Sequence, residues 1–213
     1  MPKFKAAIFD LDGTLFDSMW VWEKIDVDFL GKRGIPVPDD YANEISAKSF
    51  RETALYTVSR FGLEEKAEDI MDEWTRMAIE EYSHNIPLKP HAKEYLTFLK
   101  KHDIRIGTAT TLTRSLCEPA LISNGIYDLF DEFAFSEEVS SGKESPEIYL
   151  LAAEKLGVRP RECIAFEDLL PGIRAILAAG MHAYGVYDSY SSAKKKDIQK
   201  ISDGYIYDFA EMM

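Results

Sequence analysis

Short apolar runs and amphipathic stretches alternate along most of the chain. The runs fall at 5–9, 104–109, 133–135, 163–166, 182–186 and 205–207, and the first stops abruptly at Asp10. Apolar runs this short, bounded by polar and turn residues, predict strands buried on both faces. Helical spacing fills the intervals at 91–101, 113–124, 146–156 and 169–179. Ser145-Pro146 makes an N-cap and first-turn pair, and Gly157 and Gly180 stand where helices should stop. The Lys194-Lys-Lys196 run marks a solvated surface helix. Strands alternating with helices predict an α/β fold, a parallel sheet with helices on both faces. Functional groups of such a sheet lie at the carboxyl ends of its strands.

One stretch breaks the alternation. It carries only helical periodicity, near 18–31, 39–46, 49–61 and 64–83, punctuated by Gly31, Gly34, Pro36, Pro38 and Gly62. The stretch lies between the first strand and Pro87-Leu-Lys-Pro90. A helical block inserted there predicts a lid over the sheet's carboxyl edge. The expected division is an α/β core of 1–16 and 87–213 and a small all-helical cap of 17–86.

Composition narrows the partner. The 213 residues carry 25 Lys and Arg against 37 Asp and Glu, a net charge of −12. Such a field repels phosphate backbones and argues against nucleic acid, while a small anionic substrate needs only a few local cations. The longest apolar run, 148–153, is far too short to span a membrane, and the N-terminal run is too short for a signal-peptide core. Cys117 and Cys163 offer neither a disulfide framework nor metal-ligand spacing. The expectation is a cytoplasmic monomer with no membrane partner.

Three strands end in polar groups that could converge. Asp10-Leu-Asp12-Gly13-Thr14 follows the first, Thr110-Thr111 the second and Glu167-Asp168 the fourth. Acidic residues at buried strand ends are costly unless a cation neutralises them. Asp10, Asp12, Glu167 and Asp168 supply oxygen ligands alone, which suits a hard ion such as Mg²⁺ rather than zinc. Asp and Gly also punctuate ordinary strand-to-helix turns, so each group alone is a weak signal. A D-x-D-G-T match arises by chance on the order of 10⁻³ times in such a chain, and the second acidic pair makes coincidence rarer.

These residues carry a resemblance to the haloacid dehalogenase-like hydrolase superfamily over essentially the whole chain. Its nucleophile motif is matched by Phe9-Asp-Leu-Asp-Gly-Thr-Leu15, with Asp17-Ser18 following. The second motif is matched by Ile106-Gly-Thr-Ala-Thr110 and the third by Lys143-Glu-Ser-Pro-Glu-Ile-Tyr149. The fourth is matched by Phe166-Glu-Asp168, with Pro171-Gly172 and Ala178-Ala-Gly-Met181 beyond it. Within the superfamily the chain is similar to the phosphoglycolate phosphatase and β-phosphoglucomutase-like branch. The resemblance implies a Rossmann-like core and an inserted helical cap that closes over the active site.

It also implies roles. Asp10 would be the nucleophile, forming an aspartyl-phosphate, and Asp12 the general acid and base. Mg²⁺ would be held by Asp10, the Asp12 main-chain carbonyl and Asp168, with Glu167 acting through water. Lys143 would supply a second positive charge, and Thr110 with Thr111 would bind the phosphoryl oxygens. The implied activity is Mg²⁺-dependent hydrolysis of a small phosphorylated metabolite.

The chain departs from the family pattern in three places. Glu144 stands where members often have Pro after the motif-three lysine. Trp22 stands where the β-phosphoglucomutases carry a cap His, and Thr14 where mutases frequently have Val. The last two favour hydrolysis over a phosphosugar mutase, the same-fold alternative. A dehalogenase would leave Asp12, Glu167 and Asp168 without a role, and a phospho-receiver module lacks the helical insertion. In the cap, Trp20, Trp22 and Arg51 are the candidates for specificity. The two tryptophans cannot share a helix face, and ordinary cap packing or surface exposure would also account for all three.

Overall fold

The computed structural model describes residues 4–45, 48, 50–142 and 144–213. Contacts group the chain into two compact units, Met1–Met19 with Ile86–Met213, and Trp20–Asn85. The first unit contains the strands β1 (Ala6–Phe9), β2 (Arg105–Thr110), β3 (Glu132–Phe135), β4 (Cys163–Glu167), β5 (His182–Val186) and β6 (Gly204–Ile206). The second consists of α1 (Val21–Gly31), α2 (Tyr41–Ile45), α3 (Phe50–Phe61) and α4 (Ala67–His84). Helices α5 (Ala92–Lys101), α6 (Arg114–Ser123), α7 (Glu147–Lys155), α8 (Leu170–Ala178) and α9 (Lys195–Ile201) lie in the first unit.

The six strands form one sheet in the order β3-β2-β1-β4-β5-β6, with every neighbouring pair parallel. The chain runs outward from β1 in one direction through β2 and β3, and in the other through β4 to β6. The crevice beyond the carboxyl ends of β1 and β4 is therefore the topological switch point, where such sheets bind ligands.

Successive side chains of a strand face opposite sides of the sheet. On one side Ala6, Ile8, Ala165 and Ala183 join a buried cluster with Tyr149 of α7, Ile173 and Ile176 of α8 and Ile198 of α9. On the other, Phe9 stacks on Phe166 at 4.9 Å, and both rings meet Tyr95 of α5 and Phe209. Burying each such ring contributes about 2–3 kcal/mol. The same alternation fixes the site. Asp10 and Glu167, each one residue past a Phe, return to the face of Ile8 and Ala165, beside α7 and α8.

The helical unit is held by one stripe. Helix α4 buries Ala67, Ile70, Trp74, Ala78, Glu81 and Tyr82, spaced three or four apart except at its end, and packs against α1 and α3. Phe29 of α1 meets the Trp74 ring at 5.4 Å, and the Arg33 guanidinium lies 3.7 Å over Phe29.

The helices begin one to three residues later than their sequence patterns predict, and two of them show why. The first starts at Val21 rather than 18, because the Ser18 hydroxyl donates to Asp12 Oδ1 at 2.5 Å and the Asp17 amide to the Pro87 carbonyl at 3.0 Å. Those bonds tie 17–19 to the sheet unit. Helix α7 starts at Glu147, whose amide reaches the Ser145 hydroxyl only at 3.4 Å, so Pro146 takes the cap position. Among the described residues no helix is long and apolar enough to cross a membrane.

Candidate active site

The loop after β1 is a tight turn wound on one carbonyl. The amides of Thr14, Leu15 and Phe16 all donate to Leu11 O, at 3.1, 2.9 and 2.8 Å. Gly13 sits at φ +75°, and a Cβ there would lie 2.8 Å from Asp168 Oδ2. Glycine is required twice, for the left-handed backbone and for the close approach to Asp168.

This turn and the end of β4 bring three carboxylates together. Asp10, Glu167 and Asp168 are 3%, 0% and 1% exposed, and each offers an oxygen within 4.8 Å of the others. The Thr14 hydroxyl lies 3.2 Å from Asp10 Oδ2 and 3.3 Å from Asp168 Oδ1, bridging the two strands' acids. Glu167 is fixed from two sides. The Tyr149 hydroxyl donates to its Oε2 at 2.9 Å and the Leu169 amide to its Oε1 at 3.0 Å. The first turn of α8 closes on the same side chain, since a Cβ on Gly172 would fall 2.6 Å from Glu167 Cδ. Burial, reinforced by the charges of Glu167, Asp10 and Asp168, pushes the Tyr149 phenol well above its ordinary range, so it stays a proton donor.

Three carboxylates this close repel one another strongly in a low-dielectric interior. Their hard, all-oxygen donor set suits a divalent cation such as Mg²⁺, which would carry the compensating charge.

The other sequence-derived candidates are placed as follows. Asp12 is partly buried and accepts the Ser18 bond. Thr110 is 1% exposed at the end of β2, and its oxygen accepts from the Leu112 amide at 3.1 Å, leaving its hydroxyl proton for donation. Thr111 is exposed to solvent. Lys143 lies outside the described residues. Trp20, Trp22 and Arg51 belong to the helical unit. Trp20 occupies the cap position of α1, Trp22 is 40% exposed and meets Phe50 edge-on at 5.8 Å, and Arg51 pairs with Glu68 at 2.6 Å on the surface. Both cysteines are buried, and burial raises the Cys117 thiol to about 12 and the Cys163 thiol to about 11. Neither is a thiolate nucleophile near neutral pH.

Sequence reasoning did not single out Tyr149 as a site residue, nor the bridging role of Thr14. Thr14 was legible as part of D-x-D-G-T. Tyr149 closed the third motif, but its bond to Glu167 was not legible there, because the two meet only through the packing of α7 on the sheet.

Comparisons with known proteins identify the family and the fold. The family described as haloacid dehalogenase-like hydrolase matches residues 4–180. Hexitol phosphatase B of Escherichia coli is 27% identical over 180 residues, covering 84% of this chain and 81% of its own. A phosphorylated carbohydrates phosphatase of Thermotoga maritima is 28% identical over 191 residues, covering 89% of this chain and 88% of its own. Among solved structures, a beta-phosphoglucomutase from Clostridium difficile superimposes with a TM-score of 0.73 at 25% identity, covering 99% of this chain and 93% of that one. The chain belongs to the haloacid dehalogenase-like hydrolase family, on the branch its phosphatase and phosphoglucomutase-like relatives occupy.

Proposed function

We propose that this hydrolase is a Mg²⁺-dependent phosphatase that acts on a small phosphorylated metabolite through an aspartyl-phosphate on Asp10. The observation that carries the reading is the buried trio of Asp10, Glu167 and Asp168 at the switch point of the sheet. The names of the relatives support a sugar or polyol phosphate as the substrate class. Two buried free cysteines are in keeping with work in the reducing cytoplasm.

Asp10, Asp168 and the main-chain carbonyl of Asp12 would hold the ion, with Glu167 nearby. Bound there, Mg²⁺ would offset the charge of the carboxylates and of the phosphoryl group. An Asp10 oxygen attacks phosphorus as the bond from phosphorus to the substrate oxygen breaks. Asp12, protonated, gives its proton to the departing alkoxide. Water then attacks the aspartyl-phosphate, Asp12 takes the proton, and inorganic phosphate leaves with Asp10 restored. The Thr110 hydroxyl and Lys143 are the proposed phosphoryl ligands.

A phosphosugar mutase is the second reading, favoured by the structural likeness to a beta-phosphoglucomutase. Trp22 supports transfer to water, because an indole cannot relay a proton as a histidine does. The experiment is phosphate release from a panel of phosphomonoesters, with and without chelator, alongside acid-quench trapping of phosphorylated protein. Release that needs Mg²⁺ and passes through a trapped acyl-phosphate is expected. Full activity in metal-stripped protein would sink the reading, and sugar phosphate isomerisation without release would move it to the mutase.

A further inference from the structure

The lysine run of 194–196 lies beside an exposed aromatic patch. The pairing of Val186 with Ile206 sets Tyr187 and Tyr207 together just past the ends of β5 and β6, their ring centres 5.2 Å apart. The two are 36% and 48% exposed, and Tyr190 of the following loop is 54% exposed. The Lys195 ammonium stands 4.7 Å over the Tyr207 ring. Lys194, Lys196 and Lys200 are exposed, and the last two lie one turn apart on a single face of α9. Among the described residues none of these four lysines meets a carboxylate. Lys5, Lys100, Lys155 and Arg159 of the same unit each pair with one at 2.6–2.8 Å. Over 194–201 the four lysines face Asp197 alone, in a chain whose net charge is −12.

The patch selects among partners. Its rings offer flat apolar faces with hydroxyls at their rims, and its unpaired ammonium groups call for anions. A nucleic acid strand would bring a long row of phosphates into the field of the whole chain, which repels them. An anionic bilayer meets the same field, and among the large apolar residues of α9 only Ile201 is exposed to anchor in it. A short peptide carries few carboxylates and can set aliphatic side chains between them. β6 is the outermost strand on its side of the sheet, so an extended segment can lie along it and bond main chain to main chain. We propose that Tyr187, Tyr207 and the four lysines form a docking surface for a short, extended acidic segment of a partner protein. Its carboxylates would meet the ammonium groups and its aliphatic side chains the rings. The inference is independent of the phosphatase reading, since no residue of the patch belongs to the acidic trio or to the proposed phosphoryl ligands.

The test is fluorescence anisotropy of a labelled peptide, Glu-Leu-Asp-Glu-Leu-Asp-Glu, titrated with the full-length protein. Saturable binding is expected, with Kd on the order of 10–100 μM and several-fold weakening as salt rises from about 0.05 to about 0.5 M. Lys196→Glu combined with Lys200→Glu should weaken binding at least about tenfold, and Tyr207→Ala, separately, about threefold or more. All three side chains are at the surface, so both variants should keep the native thermal midpoint. Lys196→Gln with Lys200→Gln repeats the first change without adding negative charge. The amide analogue Gln-Leu-Asn-Gln-Leu-Asn-Gln, a thymidine oligonucleotide and phosphatidylserine vesicles are the controls, and none should bind as the acidic peptide does. The proposal is overturned if the acidic peptide does not bind, if the amide analogue binds equally well, or if the lysine and tyrosine variants bind like the native chain. Tighter binding of the oligonucleotide or the vesicles would overturn it too, and would assign the patch to that partner instead.

Discussion

In the sheet unit three carboxylates, Asp10, Glu167 and Asp168, lie buried within 4.8 Å of one another. The helical unit instead distributes its acids over ion pairs at or near the surface: Arg33 with Glu65 and Glu73, Arg60 with Asp40, and Arg51 with Glu68. Pairs of that kind contribute only about 0–1 kcal/mol each, but each sets an opposite charge beside its acid. The trio in the sheet unit does the opposite. Its like charges are held by Thr14, Tyr149 and the Leu169 amide in an arrangement that a bound cation would compensate. A fold stabilised for its own sake follows the helical pattern, while a clustered, buried set of one sign marks a place kept ready for a ligand. Asp26 departs from that pattern, a carboxyl raised to about 7 that lines a cavity with aromatic walls.

The strongest way to break this contrast is Asp10→Asn. Phosphate release should fall by roughly 10⁴-fold or more, because an amide cannot form the acyl-phosphate. Its thermal midpoint without metal should not fall, since one of three mutually repelling charges is gone. Substantial turnover by protein free of native enzyme would remove Asp10 as nucleophile, and a large loss of stability would make the trio a structural feature.

Asp12→Asn separates chemistry from charge. An alkyl phosphate loses the proton its leaving alkoxide needs, so its first phosphoryl transfer should slow roughly 10²–10⁴-fold. p-Nitrophenyl phosphate, whose phenolate leaves without help, should suffer far less and give a burst followed by slow turnover. Equal slowing of the first step for both esters, measured by rapid quench, would rule Asp12 out as the general acid.

Tyr149→Phe sharpens the claim that neutral donors hold the trio in place. Deleting one hydroxyl that orients Glu167 should weaken Mg²⁺ binding about 10–100-fold, read by calorimetric titration of the unphosphorylated protein. Unchanged affinity would mean that Glu167 is positioned adequately by the Leu169 amide and the first turn of α8.

The smallest effect belongs to Asp26. Its folded pKa, about 7, lies above the ordinary 3.8, so the folded state holds the proton more tightly. The associated stabilisation is complete below about pH 4 and is lost as pH rises through about 7. The native chain should therefore lose stability between pH 5 and pH 8. Asp26→Asn should flatten that loss by about 1–3 kcal/mol, allowing for partial hydration of the site. Denaturant unfolding at the two pH values checks it, and an identical slope in the variant would place the carboxyl in water.

Much of the site was legible because its residues are neighbours along the chain. Asp10 ends an apolar run, Gly13 and Thr14 follow within the same turn, and Glu167-Asp168 ends another run. Short apolar strands alternating with helices specify a parallel sheet, and a parallel sheet brings its strand ends to one edge. So the sequence alone pointed to acids from two strand ends at one edge; of the four it named, Asp10, Glu167 and Asp168 meet, while Asp12 is not of that group and accepts from Ser18.

Only the tertiary structure decided how each is held and what else is buried. Tyr149 reaches Glu167 across 18 residues, and Arg51 reaches Glu68 on another helix. Asp26 and Trp74 read as ordinary helical positions, yet both line one cavity, and the indole N–H is buried with no partner. Strand ends follow from local pattern, because a run of apolar residues either continues or stops. Burial of a polar group depends on which distant segments pack over it, and no spacing along one segment records that.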